Sequence, residues 1–461
     1  MGRTGRAIPA VCALACLTAN GSAVGGGDPS FRTTRLSGPS PANRMREPNV
    51  AVDPIDPSHI VVTALSRTKQ EAFAFTWASM DGGRSWTRGF LKPAFPRYDI
   101  ASDPSLAFGP DCRVYFTHLD FGDFKTASTL KDGQWLKEGG LGFQRSGDCG
   151  KTFQPSRLAD NTADGRQADK DWLAVDSSPS SKFRGSVYVF WSYIGSLVDK
   201  SDEATDIRFA YTRDGGRTFS PPRQLSRNGY VVQTVVRPDG TLDAIWEERR
   251  WNSRKIWHVS SFDGGETFSA PRLVVGVPEP GVLDWPVLAA TGPDTLVAGW
   301  CQRADGSRTG RLESRIFTAV FRDGAWSAPQ ALEPDLPGGS FVSIPALAAT
   351  DDAAWLLAYR VDPATTRVVL YRAALPSHRF VQHSILGTRQ FGTKQFCPGW
   401  LDCFEEDPAA DPKTEVEQFF PGDYVGLSGA KRRLAAAYIL PRDDDRRVDS
   451  THTLYVHVLD E

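Results

Sequence analysis

Apolar residues in this chain gather in short runs, each opened by a polar or aromatic residue and closed by a turn. Seven such starts recur: Glu47-Pro-Asn-Val-Ala-Val52, Asp103-Pro-Ser-Leu-Ala-Phe108, Asp171-Trp-Leu-Ala-Val-Asp176, Gln233-Thr-Val-Val236, Trp285-Pro-Val-Leu-Ala289, Ile344-Pro-Ala-Leu-Ala348 and Tyr424-Val-Gly-Leu427. Most lead through a turn into a second apolar run, as in Gly185-Ser-Val-Tyr-Val-Phe-Trp191 and Pro238-Asp-Gly-Thr-Leu-Asp-Ala-Ile-Trp246. Near-continuous apolar runs of this length suit strands of sheets covered on both faces. The pattern predicts seven repeated β units.

A sharper repeat punctuates the quieter one. Ser79-Met-Asp81-Gly-Gly83-Arg-Ser85-Trp86 returns as Ser146 to Phe153, Thr212 to Phe219 and Ser261 to Phe268, with an eroded copy at Asp323-Gly-Ala-Trp326. Glycine supplies positive φ, aspartate and hydroxyl groups accept the exposed turn amides, and the closing aromatic anchors the next strand. Self-similarity over a few dozen residues marks a radial or solenoid architecture.

The pattern S-x-D-x-G-x-[ST]-[WF] resembles the Asp-box, or bacterial neuraminidase repeat, of sialidase-type β-propellers. The resemblance implies an all-β chain folded as one propeller of four-stranded antiparallel blades over residues 24–461. Seven blades are preferred from the seven strand starts. Sialidases of this type have six, so six stays open, with the Gln233 start the weakest. The last unit lacks the motif but has strands near Leu434 to Leu440 and Thr453 to Val458, and its outer strand is expected from Phe31-Arg-Thr-Thr-Arg-Leu36. Closing the ring with both termini removes exposed sheet edges.

Composition narrows the setting. The 53 basic and 55 acidic residues are interspersed and leave a net charge of −2, so no polyanion is attracted as a whole and nucleic acid is not an expected partner. Arg3 and Arg6, the apolar run Ala7 to Ala19 and the small residues up to Ala23 have the order of a secretory signal peptide, and the run is too short to span a bilayer. Residues 1–23 are therefore read as a leader to a secreted, periplasmic or surface location. Ala13-Leu-Ala-Cys16 also resembles a weak lipobox. Of the later cysteines, Cys397 and Cys403 bracket a small loop and are expected to bridge. Cys112 and Cys149 lie in the first and third turns of one blade, which emerge on the same side and can meet. The expected state is a monomer, and no cysteine has zinc-site spacing.

The resemblance also separates scaffold from chemistry. It implies that the Asp-box turns lie opposite the functional mouth, which is lined by the inner-strand starts and the loops joining second to third strands. Sialidase action needs three arginines on a substrate carboxylate, a tyrosine nucleophile assisted by a glutamate, and an aspartate acid. Arg46-Glu47-Pro48 resembles the Arg-Ile-Pro motif of the first sialidase blade, which makes Arg46 a carboxylate-binding candidate. Tyr424-Val-Gly-Leu427 resembles the segment holding the nucleophile, with Asp423 beside it. Glu247 is a candidate assistant, Glu71 stands where the acid is sought, and Arg360 is the candidate for a further arginine. Glu47, Asp103, Asp171 and Trp285 complete the expected substrate-binding set. The loop Ser66 to Glu71 lacks the acid aspartate, and Glu247-Glu-Arg-Arg250 stands where an arginine is expected. No cofactor is expected, although Asp199, Asp202, Glu203 and Asp206 offer oxygen ligands of the kind calcium takes. Residues 388–420 form a long mouth-side insertion, read as a lid or specificity loop. Two functions stay open: an exported exo-acting glycoside hydrolase of the exo-α-sialidase type, and a non-catalytic propeller that binds a glycan or a protein.

Overall fold

The computed structural model describes residues 31–36, 44–67, 72–96, 98, 100–121, 139–160, 167–194, 205–248, 253–303, 314–393, 395–397, 419–442 and 452–460. They form seven blades of four antiparallel strands. The inner strands are Arg44–Val52, Ile100–Phe108, Gln167–Val175, Gly229–Val236, Val282–Ala290, Phe341–Ala349 and Gly426–Ala430. Six blades are thereby ruled out. The fourth inner strand begins at Gly229, so Gln233 lies in its middle, and the seventh begins at Gly426, two residues beyond Tyr424.

Second strands are buried on both faces because each blade packs between two others. Trp191, Trp246, Trp300 and Trp355, from the second strands of blades three to six, are fully buried. Truncating an aromatic side chain so buried to alanine costs about 3–5 kcal/mol. The polar residues between these runs mark turns, which is why the strand pattern was visible without a strict alternation.

The four Asp-boxes share one hydrogen-bond scheme. In the first, Ser79 Oγ accepts from Gly83 N at 2.8 Å, and Asp81 accepts the Ser85 amide at 2.9 Å and its hydroxyl at 2.6 Å. Asp148, Asp214 and Asp263 repeat it with Thr152, Thr218 and Thr267. These carboxylates are occupied by their own turns. In the eroded copy, Asp323 and Gly324 both have positive φ, 53° and 80°, the two-residue turn that matches strand twist. Each inner strand starts at one end of its blade, while the Asp-box closes the third strand at the other.

Phe31–Arg35 is the outer strand of the last blade, paired antiparallel with His452–Asp460. Cys112 and Cys149 are disulfide-bonded, as the turn geometry implied. The Cys397 to Cys403 bridge is not seen: Cys397 is a buried free thiol, and Cys403 lies outside the described residues. Glu71, Asp199, Asp202, Glu203 and residues 1–23 lie outside them too. Asp206, the described member of the calcium candidates, pairs with Arg208 at 3.2 Å. Among the described residues no helix is long and apolar enough to cross a membrane.

The closing strand is held by a neutral histidine. His457 Nδ1 lies 3.2 Å from Thr33 Oγ1, and its Nε2 lies 2.8 Å from the Tyr438 hydroxyl. Tyr438 donates its proton to Leu386 O, so the imidazole donates through Nε2 and accepts from Thr33 through Nδ1. Burial holds the His457 pKa down to about 4 from 6.5. The native state thus resists protonation. Its stability is full above about pH 6.5 and is lost as pH falls toward 4, by roughly 3 kcal/mol in all. The thermal midpoint should fall over that window, and His457→Asn, which cannot take up the proton, should flatten the fall.

Candidate functional site

Each of the first six inner strands carries a β-bulge near its start, and each bulge holds one non-glycine residue at positive φ. These residues are Glu47 (51°), Asp103 (49°), Lys170 (48°), Val231 (43°), Trp285 (54°) and Ile344 (55°). Four of them precede proline, which has no N–H to lose at an unpaired bulge position and which drives its predecessor out of the right-handed helical region. Left-handed backbone at such residues stores about 1–3 kcal/mol apiece, and bulges re-aim side chains. Here four of the re-aimed residues, Glu47, Asp103, Lys170 and Trp285, meet across the ring.

Lys170, from blade three, is the hub. Its Nζ lies 2.8 Å from Asp103 Oδ2 of blade two and 2.6 Å from Asp423 Oδ2 at the start of blade seven. It is 3.8 Å from Asp169 and 5.7 Å from the ring centre of Trp285 in blade five. Burial alone would push its ammonium down, but Asp103, Asp423 and Asp169 outweigh burial and hold its pKa well above the usual lysine value. Tyr230 donates to Asp169 at 2.8 Å and so fixes the hub's own strand.

Glu47 sits beside this hub with a different charge balance. It is 6 % exposed, and its Oε2 makes no hydrogen bond. Burial first, then repulsion from Asp103 and Asp423, raises its pKa well above the usual carboxyl range, against the pull of Lys170 and Arg46. Its backbone is clamped, since Glu47 N donates to Pro421 O at 3.0 Å. Gly422 (φ 108°) must be glycine, because a Cβ there would lie 2.3 Å from Glu47 N.

Tyr424 joins the same cluster but is poorly placed to ionise. Its hydroxyl donates to Pro104 O at 3.1 Å, and its ring meets Trp172 edge-on at 5.8 Å. Burial, then Glu47, Asp103 and Asp171, push its pKa well above 10. Arg46 is buried with its guanidinium 5.1 Å from the Phe420 ring. Asp171 faces Thr117 of blade two, and its burial raises its pKa well above the usual range, with Thr117 opposing.

Two expected members stand apart. Glu247 Oε2 accepts the Trp285 amide at 3.1 Å and so supports the blade-five bulge, with burial and Asp284 raising its pKa. Arg360 lies 3.0 Å from Glu333 and 3.5 Å from Asp362, in a network between blades five and six. No described contact joins it to Arg46. The structure thus gathers Arg46, Glu47, Asp103, Asp423, Tyr424 and Trp285, and the residue that unites them, Lys170, was placed by the sequence only among the residues lining the mouth, with no chemical role. Its signal was positional: it occupies the bulge position that the X-Pro residues hold in neighbouring blades.

The described ends of the long insertion meet, and its returning end runs beside this cluster. Phe396 and Phe419 form a parallel bridge, with Cys397 N donating to Phe419 O at 2.9 Å and Phe419 N to Gln395 O at 2.7 Å. Phe420 and Pro421 then contact Arg46 and Glu47 directly.

No family model matches the chain, and no curated protein matches it. Solved structures do. An ulvan lyase of polysaccharide lyase family PL25, bound to its GlcA-Rha3S repeat, has a TM-score of 0.51 at 11% identity, over 90% of this chain and 93% of its own. The polysaccharide lyase Uly1 has 0.51 at 9% identity, over 87% and 88%. The Hadza microbial sialidase Hz136 has 0.44 at 13%, over 86% and 73%. At these identities the likeness is one of fold.

Proposed function

We propose that the protein is a glycan-cleaving enzyme whose chemistry sits at the axial cluster, acting as an exo-acting glycoside hydrolase through carboxyl groups. One observation carries this reading: Glu47, whose Oε2 makes no hydrogen bond and whose burial favours the uncharged form, lies beside two carboxylates gathered on one lysine. Paired carboxyl groups whose environments differ are the working parts of glycosidic hydrolysis. Glu47 gives its proton to the leaving oxygen. Asp103 or Asp423 acts on the sugar carbon or on the attacking water, and half-buried Trp285 offers a face for the ring. The glycan class is supported by the polysaccharide lyases that share the fold; the reaction is argued from the site. Carboxyl groups outnumber Lys170 and Arg46 here, which favours a neutral sugar over an acidic one.

The sialidase reading is the second one, because Arg46, Glu47 and Tyr424 do converge. Against it, Tyr424 spends its proton on a backbone carbonyl, and the surrounding carboxyl groups oppose its ionisation.

The test is a panel of neutral glycosides, a sialoside, and neutral and uronate-containing polysaccharides, read by released aglycone, reducing ends and unsaturated product. A neutral glycoside should be hydrolysed. Tyr424→Phe should change that rate by less than the roughly 10²-fold that loss of a proton donor brings. Cleavage of the sialoside that collapses in Tyr424→Phe supports the second reading, unsaturated product marks a lyase, and binding without cleavage marks a non-catalytic propeller.

A further inference from the structure

On the face opposite the axial cluster, a second group of side chains converges where no Asp-box chemistry requires it. His59 lies in the turn after the first inner strand, Cys112 in the turn after the second, and Cys149 inside the second Asp-box. The His59 Nδ1, Cys112 Sγ and Cys149 Sγ atoms all lie within 4.8 Å of one another, the one such set of metal-type ligands among the described residues. Nδ1 is 3.0 Å from Cys112 Sγ and 3.3 Å from Asp53 Oδ2.

We infer that reduction of the Cys112 to Cys149 disulfide converts this group into a zinc site, with Cys112, Cys149 and His59 as its protein ligands. Zinc bonds of about 2.3 Å to sulfur and 2.0–2.2 Å to nitrogen and oxygen place tetrahedral ligand atoms roughly 3.3–3.8 Å apart. The Nδ1 to sulfur edge, at 3.0 Å, is close to that range. The sulfur-to-sulfur edge is the one that a covalent bond shortens, and reduction releases it.

The surrounding groups fit a metal-bound imidazole. His59 Nε2 faces Asp56 Oδ2 at 3.5 Å, so a histidine bound through Nδ1 directs its other N–H toward a carboxylate, the arrangement that fixes tautomer and ring orientation in zinc sites. Asp53 is buried, and its Oδ1 accepts the Ile55 amide while Oδ2 points to His59. His59 and both cysteines are only partly buried, so reductant and metal can reach them.

The conversion balances with a dithiol reductant of the thioredoxin type. Its thiolate attacks Cys149 Sγ, the disulfide breaks, and Cys112 leaves as a thiolate beside His59. The second reductant thiol then frees Cys149 and leaves the reductant as its own disulfide, two electrons having passed to the protein. Zinc binds both sulfurs as thiolates and displaces any remaining thiol proton to solvent.

The experiment uses the full chain, oxidised or reduced with a metal-free phosphine under argon, then incubated with zinc or cobalt and freed of excess metal. Reduced protein should retain one zinc per chain and, with cobalt, show a thiolate charge-transfer band; oxidised protein should show neither. Cys149→Ser and His59→Ala, also reduced, should each lower zinc affinity at least tenfold. A reduced, folded protein that retains no zinc, or variants that retain it undiminished, overturns the proposal. If reduction unfolds the chain, zinc should restore the near-ultraviolet dichroism at one equivalent. Failure to restore it overturns the proposal equally.

Discussion

Replacing Glu47 by glutamine should lower kcat by about 10²- to 10⁴-fold on whichever glycan is cleaved, with the fold intact. Glutamine matches the carboxyl in shape and cannot give a proton. Stability should be nearly unchanged, because burial and the neighbouring carboxyl groups already favour the uncharged form of Glu47, which an amide imitates. The pH profile supplies the sign. A general acid works below its own pKa, and that of Glu47 stands well above the usual 4.5, so the rate should hold through the mildly acidic range and fall on the alkaline side. In Glu47→Gln that alkaline limb should disappear. Steady-state kinetics across pH on both proteins, with thermal midpoints alongside, checks each part.

Lys170→Met should be the most destabilising change at the axis, by about 3–5 kcal/mol. The substitution removes the cation that Asp103 and Asp423 share at 2.8 and 2.6 Å, and leaves two buried carboxylates facing each other. A comparable surface ion pair is worth at most about 1 kcal/mol, but these groups are largely out of water. Urea denaturation of Lys170→Met beside Lys170→Arg, which keeps the cation, separates this from a simple packing defect, which both variants would show. Activity of any surviving folded protein should fall too, because Lys170 sets the positions of both carboxylates.

Much of the scaffold was legible because its signals are local. The Asp-box serine, aspartate and glycine bond to one another within four residues, so their pattern survives as a string. The closing strand at Phe31–Arg35 was inferable because the last blade was one strand short. The site was less legible because its members are distant in sequence: Lys170 lies 67 residues from Asp103 and 253 from Asp423. No spacing rule links them. The recurring X-Pro steps were visible but read as strand starts, whereas they are bulges that turn the preceding residue inward. Blade four shows the reverse failure: its bulge at Val231 has no proline, and the strand start was placed too late. Arg360 was judged from its place at a strand end. Side chains on a strand alternate between its two faces, and this one turns toward a neighbouring blade and Glu333.

The axial cluster is where a glycan should be bound and cut. The most direct test is a crystal structure of Glu47→Gln soaked with an oligosaccharide that the wild type cleaves. A sugar ring against Trp285, with the glycosidic oxygen within hydrogen-bonding reach of residue 47 and the Asp103 and Asp423 carboxyl groups on the same sugar, is the predicted result. A sugar bound elsewhere, with Lys170 and its carboxylates untouched, would contradict it.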